Sequence, residues 1–496
     1  MPIPLKWVAG QIVSGADWNN ARLYKGHSYI VWSGSGTYYA FAQYDGGTDY
    51  SGSSAREVIQ NAIDGLANSG SIQIMRGCYV LTGSLNPAPS IEISGEGWGT
   101  VLKLGNLANS NVIKFDRNAP NVVLKDFAID GNKANQTTPA WRDYLSGIYN
   151  GDYSTTPLRT SHTAGYNMDF LKIKNLYIHD ILCGAAMRIT AATSVLIEDC
   201  RVENCGNDVA TTGCDAIWMG TNSGSKIINL YTSNLTDTAI ALCDSRYCEI
   251  INPYIITGAS GISIGNEFGA HYSDHNSLLG GTIQDIWRSP ALYLFRNAAN
   301  TTGSGDHTII KGVHIRNTDQ SNPLKNAYNV YVDGAQFFLI EGCQFANYAY
   351  TGSRKHIIIT GSDTYTTSYG SITNCNFIDA NVGIEIQGAP DYVLITSNRF
   401  GGNVTTPILY TSTPVSKIVR NNSGYITENW GWAQADSGGH ATVTHGLSSH
   451  PTCILLTISG STVATNAARV DTITSTTFQI TAPAGASGNY YWYAAV

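Results

Sequence analysis

Three short stretches, GCDAIWMG (213–220), LTDTAIALCD (235–244) and GASGISIGNEFG (258–269), each carry an acid beside an apolar run. Asp215 and Asp237 lead their runs, while Asp244 and Glu267 lie just past theirs. If successive runs are neighbouring strands, about 4.8 Å apart, the two leading carboxylates stack on one face. Two carboxylates that close repel, and one keeps its proton to higher pH. That supplies the acid and the base or nucleophile of glycoside hydrolysis, with retention and inversion both open. Glu267 or Asp244 could supply a further carboxylate from a groove wall. Against this, Asp and Ser at strand entries commonly hold their own turn backbone. Arg246, Arg288, Arg296 and His271 are the basic candidates for holding substrate, and Trp218 is the aromatic one. Sugar rings stack on aromatic faces, and acidic sugars pair with arginine. Trp141 and Tyr144 in the insertion 132–168, and Trp287, Tyr293 and Phe295, add to that resource.

The elements that must position these groups repeat. From about Asn121 to Asn403 one phrase recurs at a short, near-regular interval, as in VVLKDFAIDG, FLKIKNLYIHD, VLIEDCRVENC, FLIEGCQFAN and YVLITSNRF. Each copy pairs two β-branched or apolar runs and breaks at Asn, Asp or Gly. Such a period marks a stack in which each unit buries its apolar face only against its neighbours. Strand content without helical periodicity makes it an all-β solenoid. Ahead of it, YIVWSGSGTYYAF (29–41) reads as a hairpin. Ser54 and Glu57 form a capping box, and Val58, Ile59, Ala62, Ile63 and Leu66 form a helical stripe. This helix is expected to cap the open end of the stack, where unpaired backbone invites aggregation. Residues 426–496 read as a small β-sandwich. The predicted organisation is an N-terminal segment (1–45), a solenoid (46–425) and a C-terminal sandwich serving assembly or carbohydrate binding.

Composition narrows the classes. Of 496 residues 43% are hydrophobic and 13% charged, with a net charge of −7, so no basic stripe exists to track nucleic acid. No apolar stretch approaches the roughly 20 residues of a membrane span. The opening MPIPLKWVAGQIVSGADWNN lacks a secretory signal, which predicts synthesis in the cytoplasm and release, in a virion or by lysis, to the outside. Cys200, Cys343 and Cys375 occupy one slot of the phrase and read as buried free thiols. Cys243 and Cys248 lack partners for a tetrahedral metal site. His271, Asp274 and His275 read as polar turn chemistry, so neither metal nor cofactor is expected.

Ala55–Asp64, Gly70–Ile74, Gly77–Leu81 and Ser94–Leu104 resemble the entry of pectate-lyase-like right-handed parallel β-helices. This resemblance spans most of 46–425 and implies that fold; the family includes lyases, hydrolases, epimerases and viral tailspikes. Within it, Asp215 matches the aspartate of the polygalacturonase NTDG entry, and Asp237 matches the first of its DDC entry. Ile262-Ser263-Ile264-Gly265 repeats its ISIG. Thr238 stands where that family has a second aspartate and Ser260 where it has a histidine, which puts an intact polygalacturonase site in doubt. The T-V-T-H-G-L phrase, the terminal YYWYAAV and the opening KWVAGQIVSGADWNNAR look like pieces of phage tail proteins. Together the resemblances imply a tailspike-like polysaccharide depolymerase acting by hydrolysis, and a homotrimer. A glycan-gripping spike without catalysis and a polysaccharide lyase stay open.

Overall fold

The computed structural model of the chain describes residues 27–43, 47–66, 69–115, 118–137, 145–150, 168–207, 213–266, 273–288, 290–296, 304–316, 328–347, 354–361, 367–388, 390–411, 417–459, 468–482 and 489–496. They form two compact units, Met1–Cys243 with Cys248–Ala259 and Asp244–Tyr247 with Ser260–Val496. The fold is an all-β, right-handed parallel β-helix with an N-terminal helix and C-terminal sheets.

In the first unit the expected hairpin is present, Tyr29–Gly34 pairing antiparallel with Thr37–Ala42. Helix Ala55–Gly65 follows, the Glu57 N–H donating to the Ser54 hydroxyl at 3.3 Å, and its stripe of Val58, Ile59, Ala62 and Ile63 is buried. Coils then follow, each with three strands on three faces. One coil comprises Lys172–Lys174, Tyr177–His179 and Gly184–Thr190; the next comprises Leu196–Glu198, Arg201–Cys205 and Cys214–Gly220. Corresponding strands pair in parallel, so side chains of one type stack inward, as along Leu124, Ile173, Ile197, Ile227 and Ile250.

The bend between first and second strands is one left-handed residue. Asn175, Asp199, Asn229 and Asn252 hold it with φ near +50°. Asn and Asp tolerate that conformation better than other L residues, and their amides repay it by bonding along the column. The Asn229 amide donates to Asp199 at 2.9 Å, and that of Asn252 donates to Asn229 at 3.0 Å. This is why the phrase breaks at Asn, Asp or Gly.

The second unit repeats the plan. Phe345, Phe377 and Phe400 stack inside it at 5.0 and 4.9 Å between centroids. Cys343 and Cys375 are buried free thiols, as is Cys200 in the first unit. Burial pushes the Cys200 thiol up to about 12. At the turn from third to first strand an outward column of rings runs through Tyr247, His275, His307, Phe337, Tyr369 and Tyr392, with successive centroids 5.1, 4.5, 4.8, 4.8 and 4.8 Å apart. After the coils, two three-stranded sheets enclose Phe478, Ile480, Tyr490 and Trp492. Among the described residues no helix is long and apolar enough to cross a membrane.

His356 lies fully buried in this unit, its Nε2–H donating to the Ile378 carbonyl at 3.0 Å and its Nδ1 accepting from Asn329 at 2.8 Å. Burial pushes the imidazole down to about 3, against that carbonyl bond. An unfolded histidine takes its proton near pH 6.5. Between the two values the unfolded chain binds more protons, so stability falls as pH drops through that window. The urea midpoint should fall from pH 7 to pH 4.5, and His356→Gln should flatten that slope. An unchanged slope would remove His356 as the cause.

Candidate functional site

The third strand of each coil carries the groups that the sequence singled out. In the first unit, Ile217 pairs with Ile240 and Trp218 with Ala241. Extended two residues back, that register sets Thr238 opposite Asp215. The expected column of Asp215 on Asp237 therefore slips by one, because Asp237 falls one position short of a full coil after Asp215. A one-residue slip turns side chains to opposite faces. Asp215 is half-buried and its Oδ1 accepts the Thr238 N–H of the next coil at 2.9 Å, a bond between coils rather than within its own turn. Asp237 is half-buried one residue earlier. Trp218 is 7% exposed, with the Arg188 guanidinium 4.2 Å from its ring centre, so one aromatic face is covered by a cation.

The other candidates belong to the second unit. Asp244 is 3% exposed, at a left-handed φ of 52°, its N–H donating to the Gly265 carbonyl. Arg246 and Arg288 are exposed. Arg296 ends strand Leu292–Arg296, opposite Asn266. Glu267 and His271 lie outside the described residues, as do Trp141 and Tyr144.

Around Arg296 the second unit gathers a denser set. Strand Tyr328–Asp333 pairs with Leu292–Arg296 so that Tyr331 lies beside Tyr293 and Asp333 beside Phe295. Tyr293 packs on Phe295 at 4.7 Å and on Tyr331 at 5.5 Å, and Tyr331 packs on Tyr328 at 5.8 Å. Burial pushes the Asp333 carboxyl above its ordinary range. Burial also takes the Tyr293 phenol up to about 12, with the Asp333 charge adding to it. Asp306, which feels the Arg296 charge, lies opposite Asp274 of the preceding coil beside a shift in register. Burial raises the Asp306 carboxyl too, but the Gln336 N–H, donating at 2.9 Å, and the Arg296 charge both pull it back. The second unit thus holds two carboxyls that burial biases toward their protons, Asp306 with the Arg296 charge drawing it back and Asp333 beside tyrosines. Two such groups suit acid–base work on a sugar chain.

Asp306, Tyr331 and Asp333 were missed because the recurring phrase aligned only two strands of each coil. The signal was present: ALYLFRN (291–297) and YNVYVDG (328–334) share an alternation whose alignment puts tyrosine on tyrosine.

Among the described residues Asp130, His179 and Asp180 in the first unit bring ligand atoms within 4.8 Å of one another. The Lys103 ammonium already sits 2.6 Å from Asp130, and the Asn204 amide donates to Asp180 at 2.5 Å. That set is satisfied as an ion-pair network and offers a cation little.

No protein-family model matches the sequence, and no curated protein matches it. Solved structures do. The A-module of a mannuronan C-5 epimerase from Azotobacter vinelandii aligns with a TM-score of 0.60 at 16% identity, over 74% of this chain and 94% of that one. The tailspike of Pseudomonas phage phi297 aligns at 0.54 and 13%, over 89% and 92%. The catalytic unit of an α-1,3-glucanase from Streptomyces thermodiastaticus aligns at 0.53 and 13%, over 74% and 65%. At such identities the likeness is one of fold, the parallel β-helix.

Proposed function

We propose that this β-helix is a tailspike-like polysaccharide depolymerase that hydrolyses glycosidic bonds of a surface glycan, with Asp333 and Asp306 as its working carboxyls. The observation that carries this is the half-buried Asp333, opposite Phe295 on the strand that sets Tyr331 on Tyr293, where burial biases the carboxyl toward its proton. Asp333 gives that proton to the glycosidic oxygen as the bond to the anomeric carbon breaks. Asp306, which burial also biases toward its proton while Arg296 and the Gln336 N–H draw it back, serves once ionised as base for water or as the nucleophile. The tyrosines give the sugar apolar faces to lie on. Mannuronan and α-1,3-glucan in the names of proteins with this fold support a polysaccharide as substrate class. A tailspike among them supports a particle-borne protein; release to the outside and assembly as a homotrimer belong to the same proposal. A native mass of three chains is the matching expectation.

Incubation with capsular or cell-wall glycan should release reducing ends without new absorbance at 235 nm. Absorbance at 235 nm would mean elimination, hence a lyase. A second reading, a spike that grips glycan without cutting, is favoured by the Asp215 carboxylate being spent on the Thr238 amide; tight binding with no release would select it. Loss of activity in Asp215→Asn or Asp237→Asn, with Asp333→Asn fully active, would return the site to the first unit.

A further inference from the structure

The sheet formed by Glu428–Gln434, Asn489–Ala495 and Cys453–Ser459 turns Tyr490, Trp492 and Ala494 into the sandwich core, so alternate residues face out. Those outward residues are unusual. Trp430 is 79% exposed, Trp432 66%, Leu455 59% and Tyr491 54%. The register sets Trp430 beside Tyr493 and Trp432 beside Tyr491, with Leu455 on the far side of Tyr493. Four rings and a leucine thus form one patch on a paired sheet rather than scattered singly, which marks a binding surface. The support beneath it is tight. A Cβ at Gly431, between the two tryptophans, would come within 2.9 Å of the Trp492 ring, so the strand lies directly on the core. Ligand would meet a strand whose backbone is already held in place, which lowers the ordering cost of binding.

Size and charge choose the occupant. Three strands about 4.8 Å apart and seven residues at about 3.4 Å each give a face of about 300 Å². A stable protein interface needs roughly 800 Å² per partner. The patch is too small for a second copy of the chain and large enough for a few sugar rings, whose apolar faces lie on aromatic side chains. Among the described outward residues of these strands Glu428 is the one charge, and the Tyr493 phenol bonds it. No arginine or lysine stands on these strands to pair with a uronate. We infer that the C-terminal sandwich carries a separate, non-catalytic binding site for a neutral polysaccharide, with Trp430, Trp432 and Tyr491 as its platform.

The site goes beyond the hydrolytic reading and stands without it. The test uses the full chain and three probes, laminarin and mannan as neutral polymers and alginate as an acidic one, read by tryptophan fluorescence and affinity electrophoresis. Laminarin or mannan should shift the fluorescence. Trp430→Ala/Trp432→Ala should weaken that binding at least tenfold, with native mass and reducing-end release from short soluble fragments unchanged. Asp333→Asn should bind as the wild type does, which separates this site from the proposed catalytic one. Overturning results are a double variant that binds as tightly as the wild type, no binding of either neutral polymer, or a preference for alginate. A fall in native mass in the double variant would assign the face to contacts between copies and equally overturn the inference.

Discussion

Asp333→Asn is expected to lower kcat/KM for glycan cleavage by about 10² to 10⁴-fold, the usual contribution of a positioned general acid. The loss should fall on kcat, because the amide keeps the shape of the side chain and the tyrosines still hold substrate. A carboxyl raised above its usual range works while protonated, so wild-type activity should decline as pH rises through the Asp333 titration. The variant's residual rate should lack that alkaline limb. Stability moves the other way. With the folded-state carboxyl raised, ionising it above that range costs stability, and a neutral asparagine escapes the cost. Asp333→Asn should therefore melt at or slightly above the wild-type temperature at pH 7.5. A variant that is inactive because it is unfolded would melt lower, and a variant as active as wild type would end the assignment.

Phe377→Ala is expected to cost about 3 to 5 kcal/mol, the range for emptying a buried phenylalanine site. Phe377 is fully buried between Phe345 and Phe400, with interplanar angles of 12° and 11°. A stacked coil contacts only its neighbours, so the missing ring is not replaced from elsewhere. The denaturation midpoint should drop sharply, and the transition should broaden as the coils on either side lose their coupling. Tyr369→Ala is the control. Tyr369 stacks on Phe337 and Tyr392 at 4.8 Å and 4°, but is 50% exposed. If burial rather than ring contact dominates, Tyr369→Ala should cost no more than about 1.5 kcal/mol, the size of an aromatic pair term. Equal losses at the two positions would show that stacking, not exclusion of water, holds the coils together.

The fold was legible because its cause is local and repeated. An apolar pair, a left-handed Asn, Asp or Gly and another apolar pair specify a coil without reference to anything far away. The N-terminal helix was legible for a similar reason: Ser54 and a stripe from Val58 to Ile63 suffice. The proposed site was not, because it depends on register. Asp215 and Asp237 look aligned in the string, yet the pairing of Ile217 with Ile240 sets them one position out of step, and that is enough to turn a carboxylate away. Where Asp274 does meet Asp306, the coil between them is longer than the one from Ile217 to Ile240, and no short motif reveals its length. Burial is equally invisible in a string. Trp218 reads as an open platform until Arg188 is found over it, while Trp430 and Trp432 sit in a stretch whose alternation alone did not say which side faces water.

The outward column of rings has an evolutionary corollary. Its members are unevenly spaced along the chain, the step from Tyr369 to Tyr392 being much shorter than that from His275 to His307, yet all adjacent pairs sit within 5.1 Å. One corner is thus clamped while the chain length of a turn is free to drift. Novelty can be spliced in at the other corners, and whole turns can be duplicated or lost, without the lineage ever having to re-solve how one layer sits on the next.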